Sequence, residues 1–134
     1  MKTILVFGTF DGVHEGHLAF LNEAKRLGDK LVVCLALDDT VDVLKEKGTL
    51  NSYKTRVWDL REIEIIDEIV PGDDEIGSYG VIHQVHPDII ALGYDQIALH
   101  DDLKRWFKEQ GSSTPVKVMK SYKPETYKSS ILNS

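Results

Sequence analysis

Apolar residues along this chain fall into short unbroken runs separated by stretches with helical spacing, which predicts strands and helices in alternation. Ile4-Leu5-Val6-Phe7 is a run of the kind expected of a strand buried on both faces. Leu18, Phe20, Leu21, Ala24 and Leu27 then recur at helical spacing. Lys30 to Leu37 is again almost wholly apolar, so the first two strands and their helix make a right-handed, parallel βαβ unit. Asp38-Asp39-Thr40 predicts the cap of a helix that runs to Lys47 and stops at Gly48.

Ser52 is expected to cap a further helix, Tyr53 to Ile63, with Val57, Leu60 and Ile63 inward and Trp58 packed. Glu64 to Val70, closed by Pro71-Gly72, reads as a third strand, and a helix follows near Tyr79–Val85. His83 and His86 flank the end of that helix and read as structural, with no third metal ligand beside them. The apolar core of Pro87–Leu92 is a fourth strand ending at Gly93. Asp101–Gln110 has the pattern of an amphipathic helix with Leu103, Trp106 and Phe107 inward, His100 exposed at its start and Gly111 as its stop. Val116–Met119 is a short fifth strand.

Composition narrows the class. A chain of 134 residues, 42% of them hydrophobic, fits a single domain spanning 1–134. No apolar run reaches the roughly 20 residues of a membrane span, and Met1-Lys2 leads straight into the first strand, so neither a membrane helix nor a signal peptide is expected. The single cysteine, Cys34, lies in a predicted strand, excludes an internal disulfide and suits a cytoplasmic core position. A formal net charge of -6 argues against nucleic acid as a partner. An acidic chain that binds an anionic nucleotide must gather its positive groups locally.

Candidate chemistry concentrates in Gly8-Thr9-Phe10-Asp11-Gly12-Val13-His14-Glu15-Gly16-His17, a strand-to-helix turn. Three residues apart at a helix start, His14 and His17 present both imidazoles on one side. Free N–H groups there point the same way and favour an anion. Glycines at 8, 12 and 16 let a polyphosphate lie close to the backbone, and their spacing excludes a GxGxxG dinucleotide turn. Together these features suggest a nucleoside triphosphate held by its phosphates.

His14-Glu15-Gly16-His17 within the Gly-Thr-Phe-Asp turn resembles the HxGH motif of the cytidylyltransferase-like nucleotidyltransferases. The resemblance extends over essentially the whole chain and implies an α/β fold: a Rossmann-like, doubly wound, parallel five-stranded sheet. It implies that His14 and His17 donate to the transition state and that Arg56 reaches the phosphates, a role its forked donors suit. The bland alternative for Arg56 is a surface salt bridge with Asp59 or Glu62. Gly8, Thr9, Phe10 and Gly16 would line the nucleotide, Asp11 would orient the acceptor or a hydrated metal ion, and Lys45, with Lys47 nearby, would lie near the acceptor phosphate.

Leu92-Gly93-Tyr94-Asp95-Gln96 resembles the corresponding loop of archaeal-type FAD synthetases, and a related Gly-Asp element occurs in glycerol-phosphate cytidylyltransferases. Gly93 and Asp95 would then meet the nucleotide or acceptor, with Tyr94 or Gln96 setting specificity. The basic tail, with Lys123 and Lys128 ahead of Ser129 and Ser130, resembles the family's second phosphate motif, although Tyr127-Lys128 replaces the usual Arg-Thr opening. The reaction implied is nucleotidyl transfer from ATP or CTP to a small phosphorylated acceptor, with release of pyrophosphate. FMN is the first choice of acceptor and glycerol 3-phosphate the alternative. A divalent cation such as Mg²⁺, carried mainly by the nucleotide phosphates, and a homodimer are also implied. A nucleotide sensor without catalysis is the competing class.

Overall fold

The apolar runs assemble into a parallel sheet because neither of their faces can be left to water. The computed structural model describes residues 1–10, 12–13, 15–37, 52–72 and 79–119. Among them the strands are β1 (Thr3–Gly8), β2 (Lys30–Leu35), β3 (Glu68–Pro71), β4 (Ile89–Leu92) and β5 (Val116–Val118). The helices are α1 (Glu15–Lys25), α2 (Tyr53–Arg61), α3 (Gly80–Val85) and α4 (Ile97–Gln110). The strands lie in the order β3-β2-β1-β4-β5, with every neighbouring pair parallel. β1 is central: Ile4 lies between Leu31 and Ile89, and Val6 between Val33 and Ala91.

Alternation along the strands sends side chains into two layers. Ile4, Val6, Leu31 and Val33 pack with Leu21 and Ala24 of α1 and Leu60 of α2. Leu5, Val32, Ile90 and Leu92 pack with Val81 and Ile82 of α3 and Leu103 and Trp106 of α4. Each such aliphatic side chain, fully buried, contributes on the order of 1.5–3 kcal/mol. Helices therefore cover both faces of the sheet, giving the expected Rossmann-like, doubly wound architecture. Cys34 is buried in the second layer. No helix among the described residues is long and apolar enough to cross a membrane.

Local signals account for several boundaries. Ser52 Oγ accepts from the Thr55 N–H at 3.3 Å and opens α2. Gly111, at φ 68°, closes α4 with its N–H directed to the Lys108 and Phe107 carbonyls. β3 is shorter than expected, beginning at Glu68 and not at Glu64. The chain first makes a turn in which the Ile66 N–H donates to the Ile63 carbonyl at 3.2 Å, and Asp67 Oδ2 then accepts from Leu31 N at 2.7 Å and Lys25 Nζ at 2.5 Å at the strand's entry. β2 ends at Leu35, two residues early. α4 begins at Ile97, so His100 sits inside the helix and is half-buried instead of exposed at its start. Trp58, expected to pack, is 65% exposed on the outer side of α2. The predicted helix from Asp38 to Lys47 lies outside the described residues.

Candidate active site at the β1–β4 crossover

β1 runs into α1 on one face of the sheet, while its neighbour β4 runs into α4 on the other. The chain order reverses between these two strands, so their carboxyl ends diverge and leave a crevice, the place where open α/β sheets bind ligands. Two turns meet there. One carries Gly8, Thr9 and Phe10 and leads to Gly16 and His17 in the first turn of α1; the other is Gly93-Tyr94-Asp95-Gln96. The N-terminus of α1 opens onto the same side and brings the positive end of its dipole.

Phe10 shapes the first turn. It adopts φ 50°, a left-handed conformation uncommon for a bulky side chain, yet its ring is buried. The ring folds back over Gly8, where an added Cβ would lie 2.5 Å from Phe10 Cε2. Only glycine permits that approach. The ring also meets the His17 imidazole edge to face, with centroids 5.3 Å apart and planes at 64°. His17 is half-buried.

Arg56 reaches the same turn from α2. It is 0% exposed, and among the described residues it is the one buried polar or charged side chain. Its Nη1 donates to the Thr9 carbonyl at 2.9 Å, and its guanidinium lies 5.7 Å from the centre of the Tyr53 ring. Burial, above all, raises the Tyr53 pKa, with Cys34 adding to the shift and Arg56 opposing it. A surface salt bridge to Asp59 or Glu62 is therefore not what Arg56 makes. That burial is not legible in the chain, because α2 reads as a polar helix around it.

The second turn is held from within. Gln96 Oε1 accepts from the Gly93 N–H at 2.8 Å, and Gln96 Nε2 donates to the Phe7 carbonyl at 3.0 Å. The Gln96 N–H in turn donates to the Gly93 carbonyl at 3.0 Å. Both ends of an amide expected to read the acceptor are thus engaged by main chain. The chain named Gln96 as a candidate for specificity, and the structure places it as the tie between β4 and β1. Asp95 is exposed, with Oδ1 2.9 Å from where a Cβ on Gly93 would stand. Tyr94 is half-buried beside it, and Ile97, the first residue of α4, is 67% exposed.

Asp11, His14, Lys45, Lys47, Lys123, Lys128, Ser129 and Ser130 lie outside the described residues. His83 packs its ring against Trp106 at 5.3 Å, and His86 is the left-handed C-cap of α3. Among the described residues, no three His, Cys, Asp or Glu side chains gather closely enough to hold a metal ion. Those residues do not form a protein cage for a divalent cation.

The architecture defines an open, doubly wound α/β protein with a ligand crevice at the β1–β4 crossover. The sequence model of the cytidylyltransferase-like family matches residues 5–133. A protein named FAD synthase from Thermococcus sibiricus is 37% identical over 131 residues, covering 95% of this chain and 86% of its own. The FAD synthase of Pyrococcus horikoshii is 40% identical over 113 residues, covering 84% and 76% respectively. Among solved structures, the lipopolysaccharide core biosynthesis protein from Thermoplasma volcanium is similar, with a TM-score of 0.82 at 30% identity. That match covers 91% of this chain and 98% of the other. The chain belongs to the cytidylyltransferase-like family and is a nucleotidyltransferase.

Proposed function

We propose that this enzyme is an FMN adenylyltransferase, which joins ATP to FMN and releases pyrophosphate. The observation that carries the site is the meeting of His17, the Thr9-Phe10 turn and the Gly93–Gln96 turn at one crevice. The choice of FMN is supported by the relatives named FAD synthase, which align along most of the chain. In this reading a phosphate oxygen of FMN bonds to the α-phosphorus of ATP. The bond from that phosphorus to the bridging oxygen breaks, and its electron pair leaves on pyrophosphate. FAD and pyrophosphate account for every atom.

The protein's task in such a transfer is to position two anions and stabilise charge as it develops. His17, with His14, donates to the oxygens of the α-phosphate in the transition state. Gly16 lets the triphosphate approach the main chain at the positive end of α1, whereas the space over Gly8, expected to serve the same purpose, is taken by the Phe10 ring. Gly93 allows a similar approach from the other wall, although its N–H is taken by Gln96. Asp95 and Tyr94 face the acceptor or the nucleoside, Asp11 orients the acceptor or a hydrated metal ion, and Lys45, Lys123, Lys128, Ser129 and Ser130 complete the phosphate contacts. Mg²⁺ enters with the nucleotide phosphates, and no step here depends on a protein ligand to it. By the same family resemblance, the working form is a cytoplasmic homodimer, which light scattering tests for the dimer.

Purified protein with Mg²⁺ is offered ATP or CTP in turn against FMN and glycerol 3-phosphate, and pyrophosphate is measured. Release with ATP and FMN together, and with neither alone, is expected. Release only with CTP and glycerol 3-phosphate moves the acceptor to the alternative. Nucleotide-induced thermal stabilisation with no release from any pair favours the sensor.

A further inference from the structure

Arg56 and Thr9 stand 47 residues apart in the chain, yet the guanidinium of one holds the carbonyl of the other. Taking a charged group wholly out of water is costly unless its donors find partners, so a fully buried arginine needs a reason to be there. The carbonyl it holds immediately precedes Phe10, which keeps an uncommon left-handed backbone. Such conformations persist where the surroundings over-determine them. Two constraints do so here: Arg56 fixes the preceding peptide, and the absence of a side chain on Gly8 receives the ring. The same ring is what the His17 imidazole packs against, edge to face.

We propose that Arg56 is a positioning residue, which fixes the Thr9-Phe10 turn and through the Phe10 ring sets the orientation of His17. This departs from the phosphate-gripping role that the family resemblance implies for Arg56. It rests on the reading of His17 as a transition-state donor. The chain of contacts runs from α2, across the end of β1, to α1. An imidazole that must donate to one developing charge is sensitive to such placement, since a displacement of about 1 Å can cost about 10²-fold in rate.

The test uses the full chain with Arg56→Lys, Phe10→Leu and the double substitution, each checked for folding by circular dichroism. Two readouts are taken: kcat and KM for ATP, and the His17 ring signals in the NMR spectrum of the ligand-free protein, assigned with His17→Ala. Each single variant is expected to move the His17 signals and lower kcat about tenfold, while KM for ATP changes less than about threefold. The double variant should lose little more than the worse single, because both act along one chain of contacts. A tenfold rise in KM with kcat kept would make Arg56 a phosphate ligand and overturn the proposal. Unmoved His17 signals in folded Arg56→Lys would overturn it as well. Should Arg56→Lys not fold, Phe10→Leu decides alone: unmoved His17 signals overturn the proposal. If the unaltered protein turns over no substrate pair, the functional reading fails separately, and the NMR signals still decide the positioning.

Discussion

Gln96 reaches across the crevice to Phe7: its Nε2 donates to the Phe7 carbonyl at 3.0 Å while its Oε1 holds the Gly93 N–H at 2.8 Å. One side chain thus ties the exit of β4 to the end of β1. Gln96→Leu keeps the bulk and removes both bonds, leaving partly buried main-chain groups to find other partners. The expected loss is about 1–3 kcal/mol of stability, read from urea denaturation, together with weaker turnover. A midpoint equal to that of the unaltered protein would remove the tie from the account.

Gly8 and Phe10 form a second coupled pair. A Cβ at position 8 would lie 2.5 Å from Phe10 Cε2 and 2.9 Å from both Cδ2 and Cζ. Gly8→Ala must therefore push the ring away, at a cost of about 1–3 kcal/mol. In a Phe10→Ala background the clash is absent, so the same change should cost clearly less. Equal costs in both backgrounds would show that the ring does not occupy the space over Gly8.

His17 is read as a donor to the transition state, and its removal should act on rate more than on binding. His17→Ala is expected to lower turnover by roughly 10²–10³ while the thermal shift produced by ATP is retained. Near-normal turnover in the purified variant would strike His17 from the mechanism.

Asp67 joins α1, β2 and the entry to β3. The hydrogen bond from Lys25, followed by that from the Leu31 N–H, holds its carboxyl below the usual carboxylate range. A carboxyl depressed in the folded state contributes stability above its unfolded pKa, and that contribution is lost as the pH falls through the folded value. The pair is partly exposed, so its contribution is modest. Asp67→Asn should be less stable than the unaltered protein at neutral pH, with the gap closing below about pH 4. Chemical denaturation across that range checks it, and a gap that widened on acidification would contradict the sign.

Much of the fold was legible because buried parallel strands must be continuous apolar runs, and those around Leu5, Val33 and Ile90 have few polar interruptions. Ser52 and Gly111 announced helix ends through chemistry that acts within a few residues. What was not legible depends on contacts between distant residues. The early start of α4 carries no capping signal, because the side chain at its N-cap, Gln96, is used by Phe7 and Gly93 instead. The burial of Arg56 depends on Thr9, and the turn of Phe10 on the space above Gly8. The candidate residues could be named from the chain, but the ties between them, from Arg56 to Thr9 and from Gln96 to Phe7, could not be read there.

The most direct test of nucleotidyl transfer follows the label of ATP. The full chain is incubated with FMN, Mg²⁺ and ATP carrying phosphorus-32 at either the α or the γ position. The account predicts that the α label appears in FAD and the γ label in pyrophosphate. An α label that remains with free adenine nucleotide, or a γ label transferred to the acceptor or released as orthophosphate, would contradict attack at the α-phosphorus.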